Sequence, residues 1–326
     1  MSQLTLHKYG IPASTLALGC MGFGGQDWFD KGPVTAAEVK QGEAAVDAAL
    51  SVGINMFDHA NIYKSGKAEK VFGEYLKAHK DMRDRMIIQS KCGIVFPDDN
   101  VDYTRFNFSK ENILRTVDGS LERLGTDYLD ILLLHRPDPL MDPEEVADAF
   151  NVLHNMGKVR WFGVSNMSAA QMRLLQKSLD QPIVANQLEL SLYKNSFVNT
   201  VVNINQENIK SDVFPEGTLE YCRLEDVQIQ SWGPLARGRF SGANIENESA
   251  IVKATADKVA QYAKEKGTSR EAIVVAWLLK HPAHIQPIIG TTDPDRIKAC
   301  DEGTRTELTR DEWYSLFISA RGQKMP

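Results

Sequence analysis

Short apolar segments recur along this chain and alternate with segments whose apolar residues follow helical spacing. Eight of the apolar segments have the length and composition of buried strands. They cover residues 15–21 (TLALGCM), 54–60 (INMFDHA), 86–92 (MIIQSKC), 128–135 (YLDILLLH), 161–166 (WFGVSN), 183–190 (IVANQLEL), 227–232 (VQIQSW) and 285–290 (IQPIIG). Strands separated by helices predict right-handed βαβ units in a parallel sheet.

The segments between the strands carry helix start and stop signals. Thr35 and Glu38 have the spacing of a capping box at the start of TAAEVKQGEAAVDAALSVG. The segment SKENILRTVDGSLERLG stops at Gly125, a typical residue for a helix end. Asp142 and Pro143 predict a cap followed by the first helical residue of DPEEVADAFNVLHNMG. Helices therefore follow the strand candidates in a regular alternation.

Eight such units without a linker or a composition shift predict an α/β protein with one closed (β/α)8 TIM barrel over residues 1–326. This arrangement is favoured over a two-domain doubly wound protein. A β-hairpin is predicted in LTLHKYGIPAST before the first strand, and two extra C-terminal helices in DPDRIKACDEG and TRDEWYSLFISARG. The stretch 191–222 is predicted to be irregular, with a short helix near EGTLEYC, and its role is left open.

Composition and charge narrow the classes of partner. The 326 residues are 43% hydrophobic and 25% charged, with a net charge of −6, so nucleic acid is not an expected partner. No apolar run approaches the ~20 residues that span a bilayer, and the N-terminal segment lacks the pattern of a signal peptide. The four scattered cysteines predict reduced thiols in a cytoplasmic protein, with no disulfide framework and no metal site. They are Cys20, Cys92, Cys222 and Cys300.

Ionisable side chains stand at the ends of three consecutive predicted strands. Asp58 and Tyr63 follow the second strand, Lys91 lies near the end of the third, and His135 closes the fourth. Functional groups of such barrels gather at the carboxyl ends of the strands. Each residue alone has an ordinary explanation, such as a solvated strand-end carboxylate, a loop tyrosine, a lysine reaching water or a buried core histidine. Four such groups in order favour a catalytic site.

These residue types together suit proton transfer to a carbonyl oxygen. A phenol has a reference pKa of ~10 and is a weak acid at neutral pH. The ammonium of Lys91 should lower the pKa of Tyr63, while Asp58 holds the ammonium charged and oriented. His135 can donate a hydrogen bond to the substrate oxygen. None of these side chains donates hydride, so a cofactor is required.

Seven segments together resemble the signature blocks of the aldo-keto reductases, in the family's order and over essentially the whole chain. They are GINMFDHANIY, IIQSKCG, LGTDYLDILLLHRPD, GKVRWFGVSN, NQLELSL, WGPLARG and PIIGTTDPDRI. The resemblance implies a (β/α)8 barrel that uses NADPH to reduce an aldehyde or ketone, with Asp58, Tyr63, Lys91 and His135 as catalytic residues. The implied cofactor contacts are Ser165, Asn166 and Gln187 at the carboxamide, Trp232 stacked on the nicotinamide, and Gly22, Leu235, Arg237, Gly238, Gly290, Thr291, Thr292 and Arg296.

The contacts with the adenosine end of the cofactor depart from the family pattern. Gly290 stands where many members have a lysine, and Gly233 interrupts the usual Ser-Pro-Leu. A helix that starts after Asp293 is predicted to offer free N–H groups to a phosphate, with Arg296 in its first turn. A guanidinium at this place can bind a 2′-phosphate, which predicts NADPH over NADH. The glycine-rich GCMGFGG is a weak dinucleotide motif, and Gly22 is expected to make room for the nicotinamide.

The substrate and the oligomeric state are not predicted by the sequence. Trp28, Phe29 and Phe96 are expected to be apolar walls of a substrate pocket, because they follow the first and third strands. Two other functions stay open. One is a regulatory subunit of the same fold that senses the cofactor with little or no turnover. The other is a barrel aldolase in which Lys91 forms a Schiff base.

Overall fold

Eight described strands pair in parallel and close into a barrel in this computed structural model, which describes residues 3–98, 101–203 and 214–326. All eight predicted strands are present, which confirms the (β/α)8 barrel. Around the barrel they are β1 (Ala17–Gly19), β2 (Met56–Asp58), β3 (Ile87–Cys92), β6 (Leu129–Leu134), β7 (Val159–Ser165), β8 (Ile183–Glu189), β9 (Gln228–Trp232) and β10 (Gln286–Ile289). Strands β4 (Ile94–Val95) and β5 (Arg105–Phe106) form a short hairpin outside the barrel.

Helices follow the barrel strands and surround them. Among the described residues they are α1 (Ala36–Ser51), α2 (Lys67–Ala78), α3 (Lys110–Leu124), α4 (Pro143–Asn155), α5 (Ala169–Gln176), α6 (Ser196–Val202), α7 (Thr218–Leu224), α8 (Ala250–Lys266), α9 (Arg270–Leu279), α10 (Pro294–Glu302) and α11 (Arg310–Arg321). None of the helices in this described part is long and apolar enough to cross a membrane.

The predicted helix signals act as expected. Thr35 and Glu38 form a reciprocal capping box at the start of α1. Asp142 accepts a hydrogen bond from the Glu144 N–H at the start of α4. Gly125 ends α3 with φ of 64°, a conformation in which glycine is free of the strain that a side chain would cause. The local sequence therefore determines where these helices begin and end.

The hairpin predicted before the first barrel strand is wrong. Residues Thr5–Tyr9 form a 3-10 helix that ends at Gly10 with φ of 72°. Leu4 and Leu6 are buried and pack on the apolar side chains inside the barrel, and the Thr5 N–H donates to Gln228 Oε1 at 2.8 Å. The alternating LTL pattern thus belongs to a short helix that covers the amino-terminal end of the barrel with two leucines. The Thr5 N–H donates to a side-chain amide and not to a second strand.

The segment 191–222 contains the short helix predicted near EGTLEYC, which is α7. Helix α6 in the same segment was not predicted, and residues 204–213 lie outside the described residues. Both predicted C-terminal helices are present as α10 and α11. The last helix is fixed by Trp277 of α9 and Trp313 of α11, whose rings stack at 5.2 Å and whose indole N–H groups each donate to the other's backbone carbonyl.

The inside of the barrel changes from apolar to polar along its axis. Toward the amino-terminal end it is filled by apolar side chains such as Met56, Ile87 and Ile131. Toward the carboxyl ends of the strands, the inward positions carry Asp58, Lys91 and buried glutamines such as Gln89 and Gln187 instead. Side chains alternate along a strand, so Met56 and Asp58 point to the same interior at successive levels. The barrel therefore presents its buried charges at the mouth formed by the strand ends.

Candidate active site

A buried ion pair lies at the centre of the barrel mouth. Asp58 ends β2 and Lys91 lies on the adjacent strand β3, and their side chains are 3% and 0% exposed. Lys91 Nζ donates to both carboxylate oxygens of Asp58, at 2.8 and 2.7 Å, and to the His59 backbone carbonyl at 2.8 Å. A buried ammonium is tolerated only with partners of this kind, since desolvation of a charge is costly.

Tyr63 completes this group from the turn that follows β2. Its hydroxyl accepts a hydrogen bond from Lys91 Nζ, at 2.9 Å, and its side chain is buried. Tyr63 opens a 3-10 turn in which Lys64 and Ser65 have φ of 52° and 53°, so two residues with side chains adopt left-handed conformations. The turn thereby brings the phenol back over the ion pair.

The pKa values of Tyr63 and Lys91 are both raised. Burial is the largest influence on the pKa of Tyr63 and raises it, while the Lys91 charge acts in the opposite direction and is weaker. Burial would lower the pKa of Lys91, but the charge of Asp58 and the hydrogen bonds of Lys91 outweigh burial and raise it. The expectation that Lys91 leaves Tyr63 with a lowered pKa is therefore wrong in its net sign. Tyr63 holds its proton throughout the neutral range.

His135 follows β6 and faces the phenol. The rings of His135 and Tyr63 are 6.1 Å apart at an angle of 81°. Burial, assisted by the charges of Lys91 and Arg136, keeps the pKa of His135 well below its usual value. The imidazole is therefore neutral and carries one N–H that can donate to an oxygen between the two rings. The structure thus brings together all four residues predicted as catalytic.

Most residues predicted to hold the nicotinamide end meet beside His135. Trp232 Nε1 donates to Asn166 Oδ1 at 3.2 Å, and Asn166 Nδ2 donates to the His135 carbonyl at 3.2 Å and to Ser165 Oγ at 2.8 Å. Ser165 Oγ in turn donates to the Gln187 carbonyl at 2.8 Å. Asn166 has φ of 59°, which asparagine tolerates better than most residues. These contacts fix the ends of β7, β8 and β9 relative to one another.

The amide nitrogen of Gln187 is occupied inside the barrel. Its Nε2 donates to Asp58 Oδ1 at 3.0 Å and to Gln230 Oε1 at 3.2 Å. Both amide hydrogens are therefore directed into the barrel. Only the Oε1 atom is left to accept a hydrogen bond from a ligand.

The remaining residues predicted to contact the cofactor include Gly22, expected at the nicotinamide, and the residues expected at the adenosine end. A Cβ on Gly22 would lie 2.9 Å from Thr292 Cγ2, so these two residues touch. Arg296 Nη2 donates to Ser241 Oγ at 3.0 Å and lies 3.4 Å from the place of a Cβ on Gly238. In the loop that contains Gly238, Leu235 is buried and Arg237 is exposed. Gly290 has open space where a Cβ would lie. Thr291 Oγ1 accepts a hydrogen bond from the Asp293 N–H.

The N–H groups at the start of α10 are not free as predicted. The Asp293 carboxylate accepts from the N–H groups of Asp295 and Arg296, at 2.9 and 3.3 Å. A cap of this kind satisfies first-turn donors that an anion would otherwise use. Arg296 also donates from Nε to Glu271 at 3.1 Å, while its side chain stays 39% exposed. Its guanidinium is thus the feature of this helix start that suits a phosphate.

Three aromatic side chains form a wall beside Tyr63. Trp28 lies 6.2 Å from the Tyr63 ring and 6.5 Å from Phe96, and Phe29 lies 5.5 Å from Phe96. We call Trp28, Phe29 and Phe96 the aromatic wall. Lys64 contacts the loop that carries Trp28, because its Nζ donates to the Gln26 carbonyl at 2.9 Å and lies 5.3 Å from the centre of the Trp28 ring. The structure therefore brings the predicted pocket residues together next to the phenol.

Sequence reasoning missed the buried glutamines below the ion pair. Gln89, Gln230 and Gln286 lie inside the barrel with no exposed surface. Their signal in the sequence is a polar residue two positions from another inward residue, as Gln89 stands before Lys91 and Gln230 before Trp232. Residues two positions apart face the same side of a strand, so this spacing places the glutamine side chains inside the barrel. A buried amide there needs a hydrogen-bond partner.

Comparisons with known proteins agree with this geometry. The family model described as "Aldo/keto reductase family" matches residues 15–316. The oxidoreductase YcsN of Bacillus subtilis, itself described as uncharacterized, is 36% identical over 284 residues, covering 86% of this chain and 88% of that protein. The 6-dehydroglucose reductase of Agrobacterium fabrum is 35% identical over 287 residues, covering 87% and 89%. A crystal structure of an aldo-keto reductase from Klebsiella pneumoniae with NADPH has the same fold, with a TM-score of 0.73, 23% identity and coverage of 96% and 93%. The chain therefore belongs to the aldo/keto reductase family, as its signature blocks predict.

Proposed function

We propose that this aldo/keto reductase reduces an aldehyde or ketone to an alcohol with NADPH, and that Tyr63 is the proton donor. The observation that carries the proposal is the contact of Lys91 Nζ with both the Asp58 carboxylate and the Tyr63 hydroxyl. This arrangement joins an acid, a cation that favours its ionised form and a carboxylate that holds the cation. His135 adds a neutral donor on the other side of the same space.

The residues at the mouth suit a nicotinamide dinucleotide. The Trp232 indole offers an aromatic face, and the Gln187 Oε1 atom can accept from a carboxamide N–H. Gly22 keeps a side chain away from Thr292, and Gly290 leaves open space on the path toward Arg296. The Arg296 guanidinium, partly exposed, suits a 2′-phosphate. When bound there, NADPH supplies the hydride.

The protein's own residues manage the proton and the oxygen. The carbonyl oxygen of the substrate is held by the His135 N–H and the Tyr63 O–H, so that negative charge on the oxygen is stabilised. Tyr63 transfers its proton to that oxygen, and the phenolate left behind is stabilised by the Lys91 ammonium at 2.9 Å. Burial of Tyr63 keeps the phenol protonated before the reaction, which is the form that reduction needs.

The Schiff-base alternative is disfavoured by the state of Lys91. A Schiff base requires a neutral amine with a free lone pair that can attack a carbonyl carbon. Lys91 Nζ directs its three protons at the Asp58 carboxylate, the His59 carbonyl and the Tyr63 hydroxyl, at 2.7–2.9 Å, it has no exposed surface, and its pKa is raised. The charged amine is therefore a poor nucleophile in this place. The regulatory alternative differs only in turnover, so a rate measurement decides it.

The aromatic wall suggests which carbonyl compounds to test first. Trp28 and Phe96 offer flat apolar faces beside Tyr63, and such faces suit an aromatic aldehyde or the apolar face of a sugar ring. The relative named 6-dehydroglucose reductase makes a sugar aldehyde a second candidate. A panel of aromatic aldehydes, aliphatic aldehydes, ketones and 6-dehydroglucose covers these possibilities.

The test is carbonyl-dependent consumption of NADPH by the wild type and by Tyr63→Phe. A positioned general acid contributes about 10²–10⁴-fold to the rate, so Tyr63→Phe should lose a factor of that order. Cofactor affinity, measured on the same samples, should stay close to wild type because the ring is kept. Turnover of Tyr63→Phe near the wild-type rate would remove Tyr63 from the mechanism. NADPH binding by the wild type without turnover of any substrate in the panel would favour the regulatory alternative.

A further inference from the structure

The buried glutamines of the barrel interior form a hydrogen-bonded chain that ends on Asp58. Gln286 Nε2 donates to the Ser14 backbone carbonyl at 2.8 Å, and Gln230 Nε2 donates to Gln286 Oε1 at 3.1 Å. Gln89 and Gln187 both donate from Nε2 to Gln230 Oε1, at 3.0 and 3.2 Å. We call Gln89, Gln187, Gln230 and Gln286 the glutamine chain.

The glutamine chain meets the ion pair at one carboxylate oxygen. Gln89 Nε2 lies 2.6 Å and Gln187 Nε2 lies 3.0 Å from Asp58 Oδ1, which also accepts from Lys91 Nζ at 2.8 Å. Three donors converge on this atom, one charged and two neutral. Hydrogen bonds to an ionised acceptor are about twice as strong as those between neutral groups.

The orientation of each amide in the glutamine chain follows from the groups at its two ends. A backbone carbonyl only accepts, so the Ser14 carbonyl requires Gln286 to present its NH₂ group there and its oxygen to Gln230. Gln230 must then donate to Gln286 and present its own oxygen to Gln89 and Gln187. These two can only donate to Gln230, and their remaining N–H groups point at Asp58. The carbonyl at one end thus determines that Asp58 receives donors at the other end.

An unpartnered atom supports a functional reason for this arrangement. Gln89 Oε1 is buried and has no hydrogen-bond partner among the described residues. A buried amide oxygen without a partner costs about 1–3 kcal/mol, so this atom does not stabilise the fold. The contribution of the Gln89 amide therefore lies in its NH₂ group, which donates to Asp58 and Gln230.

We propose that Gln89, supported by Gln230 and Gln286, is a positioning residue that holds the Asp58 carboxylate aimed at Lys91, so that the ammonium stays against the Tyr63 hydroxyl. Gln187 shares this task, which also sets its Oε1 toward the mouth. The inference rests on the proposed function for the reaction it serves. The ionisable groups around the Asp58–Lys91 pair from the surrounding elements are Cys20, His59, Tyr63 and His135.

Two substitutions at Gln89 test the proposal. Gln89→Leu removes a donor from Asp58, so carbonyl reduction should fall at every pH, by up to about a hundredfold. Gln89→Glu keeps a donor only while its new carboxyl group is protonated. Two carboxyl groups this close resist ionising together, so the new group should lose its proton only as the pH rises. Activity of Gln89→Glu relative to wild type should therefore fall between about pH 6 and pH 9.

A readout that needs no turnover accompanies the rates. The phenolate absorbance of Tyr63 is obtained as the difference between a protein and the same protein with Tyr63→Phe. The negative charge of Asp58 raises the pKa of Tyr63, and Gln89→Leu removes a donor that offsets this charge. Phenolate should therefore appear at a higher pH in Gln89→Leu than in the wild type.

Gln228→Leu is the matched control. Gln228 is an equally buried glutamine two residues before Gln230, and it binds the Thr5 N–H and the His284 carbonyl at the amino-terminal end of the barrel. This variant should lower the melting temperature and leave both the pH profile and the Tyr63 titration as in the wild type.

The outcomes separate this inference from the proposed function. A pH profile of Gln89→Glu parallel to wild type, with Tyr63 titrating at the same pH in Gln89→Leu and wild type, overturns the inference. A wild type that reduces no carbonyl compound defeats the proposed function, while the Tyr63 titration still decides the role of Gln89. Equal changes in Gln228→Leu and Gln89→Leu would assign both to general destabilisation and also overturn the inference.

Discussion

His59, the neighbour of Asp58, makes the stability of this protein depend on pH. Its ring is fully buried against Phe72, and neither ring nitrogen has a hydrogen-bond partner among the described residues. Burial first, and the Lys91 charge second, lower the pKa of His59 from 6.5 to about 3. In the unfolded chain the same ring is free to take up a proton near its ordinary pKa.

The size of the effect follows from this difference. A histidine with a lowered pKa in the folded state is neutral in both states well above pH 6.5, so it adds no pH dependence to the free energy of unfolding there. Below that value the unfolded chain binds a proton that the folded protein does not, and the free energy of unfolding falls by about 1.4 kcal/mol per pH unit. The loss is about 2 kcal/mol at pH 5. That figure does not change with the pKa of the folded state as long as this pKa lies below about 4.

The perturbation is His59→Leu, measured by urea unfolding between about pH 8 and pH 5. The variant removes the titrating group and two unpartnered nitrogens, so it should be at least as stable as wild type at pH 8. Its advantage should grow by about 2 kcal/mol at pH 5, whereas His154→Leu, at an exposed position on α4, should parallel the wild type. Curves of wild type and His59→Leu that run parallel over this range would refute the reasoning.

Three further predictions concern the site. Lys91→Met should reduce turnover and move the alkaline limb of the pH–kcat profile to higher pH, because the Lys91 charge lowers the pKa of Tyr63 while burial raises it. A variant with the full rate and an alkaline limb at the same pH would contradict this. NADPH titration should quench tryptophan emission, and Trp232→Leu should lose most of the quenching although four of the five tryptophans remain; undiminished quenching would argue against stacking. Arg296→Ala should weaken NADPH binding by about ten- to a hundredfold and leave NADH nearly unchanged, whereas an equal loss for both would exclude a 2′-phosphate contact.

The barrel could be predicted from the sequence because each of its units is specified locally. A strand candidate such as LDILLL is too apolar to lie on a surface, and the capping box of Thr35 and Glu38 marks where α1 begins. The N-terminal segment could not be predicted in this way. Its alternation of Leu4 and Leu6 is the pattern of a strand, but the open end of the barrel determined its conformation, and that end exists only in the folded protein.

The positions of the candidate catalytic residues were predictable, but the pKa shift of Tyr63 was not. Strand ends place Asp58, Lys91 and His135 at one mouth, and this is a consequence of topology alone. The pKa of Tyr63 depends on the balance between burial and the Lys91 charge. Burial has the larger influence on this pKa, and the extent of burial is known only from the folded structure. The hydrogen-bond partners of Gln89 could not be predicted either, because they lie on strands that are distant from it in the sequence.

The raised pKa of Tyr63 has a consequence for the pH dependence of the proposed reaction. Reduction needs the phenol with its proton, whereas oxidation of the alcohol needs the phenolate as a base. Burial keeps the protonated form dominant at neutral pH, and Lys91 limits the loss of acidity that burial causes. With Tyr63 as the proposed proton donor, burial therefore keeps the site near neutral pH in the form that reduction uses. The rate of reduction should fall as the pH rises through the pKa of Tyr63.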